Sequence, residues 1–252
     1  MTADPFGLHG RRAVVTGAGR GLGQAIALGL ARAGADLVLL GRPGSQSATR
    51  DQVTGLGREV EVVDLDVGDH DAVDRAAAVV NGDGPVDILI NNAGVIDRAD
   101  SVDVSRSSWN RVVDINLTGL FLLCQSFGRP MTERGRGKIV NVASLLSFQG
   151  GLRVASYAAS KHGVAGVTKA LANEWGPLGL QVNAIAPGYM VTDNTTALRE
   201  DPDRSRAILD RIPAGRWGDA SDIAGAAVFL SSAAADYVNG HVLAVDGGWM
   251  AR

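Results

Sequence analysis

The sequence predicts an α/β fold: a doubly wound, parallel, seven-stranded sheet with helices on both faces, in a single domain spanning residues 1–252. Three observations carry this expectation. Seven short β-branched runs alternate with longer Ala/Leu/Gly runs of helical spacing, the strand runs are apolar throughout, and many of the 33 glycines fall where one run gives way to the next. Strands covered on both faces lose the apolar/polar alternation, and parallel neighbours need a crossover helix between them. At 252 residues and 46% hydrophobic content, the chain can bury one large core.

In chain order, "AVVTG" (13–17) reads as the first strand and "GQAIALGLARAG" (23–34) as its helix. "DLVLLG" (36–41) and "VEVVDLD" (60–66) are the second and third strands, with "HDAVDRAAAVV" (70–80) a helix for which Asp69 stands as N-cap. The fourth strand, in "VDILINNAG" (86–94), precedes "SSWNRVVDINLTGLFLLCQSF" (107–127), read as one apolar helix. "GKIVNVAS" (137–144) is followed by the helical "SYAASKHGVAGVTKALANEWG" (156–176), and "LQVNAIAPG" (180–188) and "HVLAVDGG" (241–248) complete the sheet. Residues 188–218 are long, charged and placed between strand six and the next helix, where a segment can close over a substrate.

Composition narrows the function. A net charge of −3 with no basic stripe argues against nucleic acid as a partner. No run reaches the roughly 18 apolar residues of a membrane helix, and "MTADPFGLHGRR" lacks the apolar core of a secretory leader, so the expected location is the cytoplasm. The only cysteine, Cys124, lies in an apolar run and forms no internal disulfide. No metal site is expected.

In a doubly wound sheet, ligands sit beyond the carboxyl ends of the strands, where the winding reverses. Strand one ends in "TGAGRGLG", where Gly17, Gly19, Arg20, Gly21, Leu22 and Gly23 lead into a helix N-terminus suited to a pyrophosphate. The spacing is Gly-x-x-x-Gly-x-Gly rather than the common Gly-x-Gly-x-x-Gly, so the glycines alone do not identify a dinucleotide site. Strand two ends in Gly41-Arg42 with no acid, which tilts the expectation toward the 2′-phosphate of NADP and away from the free ribose of NAD. Asp66 is placed to accept from an adenine amino group, with Val67 beside the ring.

Tyr157 and Lys161 are i and i+4, on one face of a helix. An ammonium a few ångströms from a phenol favours the phenolate, which would bring Tyr157 toward the range of a general acid and base. Lysine is scarce here, with only Lys138, Lys161 and Lys169. Ser144 follows strand five and can hydrogen-bond a substrate oxygen, while Asn116 is an amide inside an apolar helix that must find partners. Arg153 offers a fork suited to a carboxylate, with Gln149 as a neighbour for hydroxyls.

"TGAGRGLG", "NNAG" at 91–94, Asn116, Ser144, Tyr157-x-x-x-Lys161 and "PG" at 187–188 together resemble the short-chain dehydrogenase/reductase family over essentially the whole chain. The resemblance implies a metal-free Rossmann-type oxidoreductase using NAD or NADP, and a homotetramer. It implies that Tyr157 exchanges the substrate proton, Lys161 holds the nicotinamide ribose and tunes Tyr157, Ser144 steadies the substrate oxygen, and Asn116 anchors a proton-relay water. Asn91, Asn92, Ala93 and Gly94 would line the adenosine side, and Ile185, Pro187, Gly188 and Thr192 the nicotinamide end. Within the family, "ASLLSFQGGLRVASYAASK", "NAIAPGYM" and "ILDRIPAGRWG" are similar to dehydrogenases of six-carbon sugar acids, usually NAD-dependent. That implies a substrate such as 2-deoxy-D-gluconate or 2-dehydro-3-deoxy-D-gluconate. The alternative is a related reductase acting on gluconate or on an acyl-carrier-protein ketone.

Overall fold

A computed structural model describes residues 4–252 of the chain. Its sheet holds seven strands: β1 Arg12–Thr16, β2 Asp36–Gly41, β3 Val60–Asp64, β4 Ile88–Asn91, β5 Gly137–Val142, β6 Leu180–Pro187 and β7 Val242–Val245. Every neighbouring pair is parallel and the order is β3-β2-β1-β4-β5-β6-β7. The winding reverses between β1 and β4, so the residues leaving those two strands border one crevice.

Alternate strand residues explain the continuous apolar runs. Val14, Val38, Leu89, Ile139 and Val182 face one core with helices α3 (His70–Gly82), α5 (Leu120–Arg134) and α6 (Ala155–Trp175). Val15, Leu39, Ile90, Val140 and Ile185 face the other, with α1 (Gly21–Arg32), α2 (Ser47–Gly55) and α9 (Ala220–Ser231). The two periods interleave, so neither face of the sheet shows a polar stripe. Asp69 caps α3 as expected, accepting from the Ala72 N–H at 3.0 Å.

The structure revises one helix. The stretch after β4 is α4 (Arg106–Val113), a π-helical turn over Asp114–Gly119, and then α5. A π turn is wider than an α turn and is found mostly as a single inserted turn, frequently at functional sites. Here it carries Asn116 and packs Leu117 onto Gly163 of α6, where a side chain larger than hydrogen would collide.

Residues 188–218 leave β6 and return to it. They contain a 3-10 turn (Asp193–Thr195), α7 (Thr196–Glu200) and α8 (Pro202–Leu209). Their two ends are joined: Val191 N–H donates to the Gly218 carbonyl at 2.7 Å and Gly218 N–H to the Tyr189 carbonyl at 2.9 Å. Beneath the excursion, Leu145, Ile208, Ile212 and Trp249 form a third small core, with Tyr189 edge-on to Trp217. No described helix is long and apolar enough to cross a membrane, and no group of three His, Cys, Asp or Glu residues among those described could hold a metal ion.

Candidate active site

The glycine loop after β1 is built by close approaches. Gly17 has φ +65°, and Gly23 lies where a Cβ would overlap the Gly17 carbonyl and the Asn92 amide. The Thr16 hydroxyl accepts from the N–H groups of Asn92 and Ala93, both at 3.0 Å, and the Asn92 side chain donates to the Thr16 and Gly17 carbonyls. Loop and switch-point strand end are thereby locked together. Helix α1 then begins with no side chain capping it and no acid in its first turn. Its first N–H groups are therefore available to an anion such as a pyrophosphate. Arg20, at the N-cap position, is drawn across to Asp193 of the excursion at 2.7 Å, and Thr192 stands over Gly21.

At the end of β2, a Cβ on Gly41 would overlap the amide of Gln46, which is only 1% exposed. That amide accepts from the Gly41 N–H at 2.8 Å and donates to the Arg42 carbonyl at 3.0 Å, so it occupies the space an acid at 41 would need. The Arg42 side chain is exposed and makes no hydrogen bond or ion pair with a described residue. Asp66 closes its own turn, accepting from the Gly68 N–H at 2.9 Å.

Tyr157 and Lys161 lie in the first two turns of α6, with Lys161 Nζ 5.6 Å from the Tyr157 ring centroid. Lys161 is 4% exposed and donates to the Val142 carbonyl at the end of β5 at 2.6 Å. Ser144, two residues further along, begins the 3-10 turn Leu145–Ser147, and its hydroxyl accepts from the Leu146 N–H at 3.2 Å. Ser147 in turn holds the Lys161 carbonyl at 2.6 Å. Asn116 is fully buried: its oxygen accepts from Val95 N–H at 2.8 Å, and its nitrogen donates to the Val95 carbonyl at 2.8 Å and to Ser160 at 3.2 Å. Ser160 donates to the Tyr157 carbonyl at 2.7 Å, so Asn116 braces the turn that carries the phenol.

The electrostatics correct the expectation for Tyr157. Burial raises its pKa above the ordinary phenol value, while the Ser144 hydroxyl and the charge of Arg98 pull the other way. Burial pushes Lys161 down to about 8. Both groups share one poorly solvated pocket, and desolvation there outweighs the attraction expected from their spacing. Arg98, which the motif reading did not single out, adds a second cationic field at the phenol; it donates to the Asn194 carbonyl of the excursion at 2.8 Å. The signal available was its position in the loop after "NNAG".

Five further residues are placed otherwise than expected. Arg153, at φ +63°, pairs with Asp100 at 3.1 Å with 63% of its side chain exposed, so its fork already holds a carboxylate of this chain. Gln149 is half-buried, and its side chain makes no hydrogen bond with a described residue. The Asn91 side chain points into the core, donating to Asn141 at 2.9 Å and contacting Cys124, while Asn92, Ala93 and Gly94 remain at the crevice. Val67 and Ile185 are also core side chains, one on each face of the sheet. Pro187 and Gly188 end β6, with Gly188 pressed against Asp246.

A glycine-cradled helix N-terminus at the switch point, facing a Ser-Tyr-Lys set on β5 and α6, defines a dinucleotide-dependent oxidoreductase site. The chain belongs to the short-chain dehydrogenase/reductase family; residues 17–250 match the family described as Enoyl-(Acyl carrier protein) reductase. It is 53% identical over 249 residues to a 2-dehydro-3-deoxy-D-gluconate 5-dehydrogenase of Bacillus subtilis (strain 168), covering 99% of this chain and 98% of that one. An Agrobacterium tumefaciens protein named by inference a 2-deoxy-D-gluconate 3-dehydrogenase, with bound NADP, superposes with TM-score 0.93 at 56% identity, covering 99% of this chain and all (100%) of that one. A Beutenbergia cavernae protein named by inference an NAD(P)-dependent gluconate 5-dehydrogenase, with NADP at low occupancy, gives TM-score 0.97 at 51% identity over 99% of this chain and 100% of the other.

Proposed function

We propose that this protein transfers a hydride between NAD(P) and a secondary alcohol or ketone of a six-carbon sugar acid, such as 2-deoxy-D-gluconate or 2-dehydro-3-deoxy-D-gluconate. The observation that carries the reading is the convergence of Ser144, Tyr157 and Lys161 beyond β5, beside an uncapped glycine-rich helix N-terminus. The relatives named for sugar-acid dehydrogenation span essentially the full chain, which supports the substrate class.

When bound, the nicotinamide accepts or returns the hydride. The chain's own groups handle position and proton. Ser144 donates to the substrate oxygen, and Tyr157 takes the alcohol proton in oxidation or gives it in reduction. Lys161, fixed by Val142, would hold the nicotinamide ribose, and it supplies positive charge to the developing phenolate. Asn116 spends its amide on Val95 and Ser160, which keeps the Tyr157 turn in register. Gly17, Gly19, Gly21 and Gly23 would hold the pyrophosphate, Asp66 and Asn92 to Gly94 the adenosine side, and Pro187, Gly188 and Thr192 the nicotinamide end.

NADP is the favoured cofactor, because Gln46 fills the place of a ribose-binding acid and Arg42 is free to meet a 2′-phosphate. We take residues 188–218 as the substrate loop. Arg98, whose charge acts on Tyr157 and whose guanidinium donates to Asn194 of that loop, takes the substrate carboxylate, with Gln149 on its hydroxyls and Arg153, paired with Asp100, at the rim. Cytoplasmic location and a homotetramer, with the β7 stretch at a subunit contact, complete the reading.

A panel of 2-deoxy-D-gluconate, 2-dehydro-3-deoxy-D-gluconate, gluconate and a neutral polyol, assayed with NAD(H) and NADP(H) in parallel, tests it. A sugar acid should give the highest kcat/KM, and Tyr157→Phe should lower turnover by at least about 100-fold with cofactor binding retained. Arg98→Ala should raise KM for the sugar acid far more than for the polyol. Wild-type turnover in Tyr157→Phe, or a polyol as best substrate, would overturn the assignment.

A further inference from the structure

Ser147 is a buried polar side chain, 7% exposed, that neither the proton nor the hydride step uses. It ends the 3-10 turn Leu145–Ser147 that Ser144 begins, and its hydroxyl crosses to α6, where it donates to the Lys161 carbonyl at 2.6 Å. A serine hydroxyl commonly bonds a carbonyl within its own turn, three or four residues away. This one reaches across 14 residues of sequence to another element. The carbonyl it meets lies inside a helix and already accepts from the main chain one turn on, so the hydroxyl takes its second lone pair. The bond therefore serves the turn and not the helix.

Lys161 thus meets the exit from β5 twice. Its ammonium holds the Val142 carbonyl at 2.6 Å and its own carbonyl holds Ser147, with Ser144 between the two points. Inside that span the Ser147 N–H donates to the Ser144 carbonyl at 2.9 Å, and the Leu146 N–H donates to the Ser144 hydroxyl at 3.2 Å. The Ser144 hydroxyl has accepted one bond and keeps its proton for a substrate oxygen. Leu145 anchors the middle of the turn in the third small core, but apolar packing is non-directional and does not fix the rotation of so short a turn. The Ser147 hydroxyl supplies the directional contact.

On the reading of Ser144 and Tyr157 as the groups that meet the substrate oxygen, we propose that Ser147 is a positioning residue of the reaction. Through the Lys161 carbonyl it ties the turn that aims the Ser144 hydroxyl to the helix that carries Tyr157. A misplacement of about 1 Å in such a group can cost about 100-fold in rate, so a loosened turn is read in turnover.

The test is a double-mutant cycle of Ser144→Ala and Ser147→Ala in the full chain, with the sugar acid and dinucleotide of highest kcat/KM. Ser147→Ala should lower kcat about 10-fold or more, with the Kd for NADPH, read by fluorescence titration, within about twofold of the wild type. Ser144→Ala should lower kcat at least about 100-fold, and adding Ser147→Ala to it should change kcat by less than about twofold, because the turn then carries nothing to aim. Ser147→Cys, whose thiol fits the space but donates weakly, should show the same pattern at reduced size and carries the comparison if the alanine variant does not fold. Wild-type kcat in the Ser147 variants, or losses that multiply in the double variant, would overturn the proposal and leave the Ser144 assignment intact. Full turnover in Ser144→Ala, or a wild type that turns over no sugar acid, would overturn that reading and the proposal with it.

Discussion

Replacing Lys161 with methionine separates what this residue does for the reaction from what it costs the fold. Its pKa falls from 10.5 to about 8 through burial. At about 1.4 kcal/mol per pH unit, the folded protein therefore bears a penalty of about 3 kcal/mol for keeping that site protonated below pH 8. Between 8 and 10.5 the native state has shed a proton that the unfolded chain still holds, so stability rises with pH across that window and gains nothing from this group below it. Methionine carries no charge to desolvate, but it abandons the 2.6 Å bond to the Val142 carbonyl, a loss of about 1.5–3 kcal/mol for a charge-assisted bond. At pH 7 the two effects nearly cancel, and Lys161→Met should be as stable as the wild type within about 1 kcal/mol while inactive. The pH dependence is the sharper quantity. From pH 7 to 9.5 the wild type should gain about 2 kcal/mol on the variant. Urea unfolding of both proteins without cofactor, at one fixed protein concentration and both pH values, measures it. Parallel behaviour, with the difference constant to within about 0.5 kcal/mol, would show that Lys161 is not desolvated as described and would refute the argument.

Two further outcomes follow from the cofactor crevice. Arg42→Ala should weaken NADPH binding by about 10-fold or more and leave NADH nearly unchanged, as fluorescence titration reads; an equal loss for both would place Arg42 outside the 2′-phosphate site. Gly19→Ala puts a methyl into the Ser45 carbonyl, so the loop must open: binding of both dinucleotides should fall at least about 100-fold, with the unfolding midpoint changed far less because the overlap is with an exposed loop beyond the strand ends.

The strands were legible because their composition is set by burial on both faces, and Val14 and Val15 on opposite cores show how a continuous run arises. Ser144, Tyr157 and Lys161 were legible because their spacing survives translation into a strand end and a helix face. The π turn was not legible: Asp114–Gly119 has the pattern of an ordinary helix, and the packing of Leu117 onto Gly163 of α6 that accompanies the wider turn is a long-range contact no local pattern announces. The sign of the Tyr157 shift was missed for a related reason, since spacing reveals the neighbouring charge but not how much water the pocket excludes. Arg153 illustrates the same limit. Its fork suits a carboxylate, and the structure supplies one from Asp100, a pairing that no motif in the sequence announces.

The pairing of Tyr189 and Val191 with Gly218 gives the 188–218 excursion a closed base. A segment whose two ends are pinned to each other behaves as a cassette. Changing what lies between them alters loop-closure entropy only weakly, by about 0.6 kcal/mol for a doubling of length. An exchange has to keep the points at which the segment meets the site: Asp193 on Arg20, Thr192 over Gly21, Asn194 on Arg98, and Ile208 in the core that holds Leu145. Outside those contact points, substrate preference can drift, or be engineered, at small cost to folding.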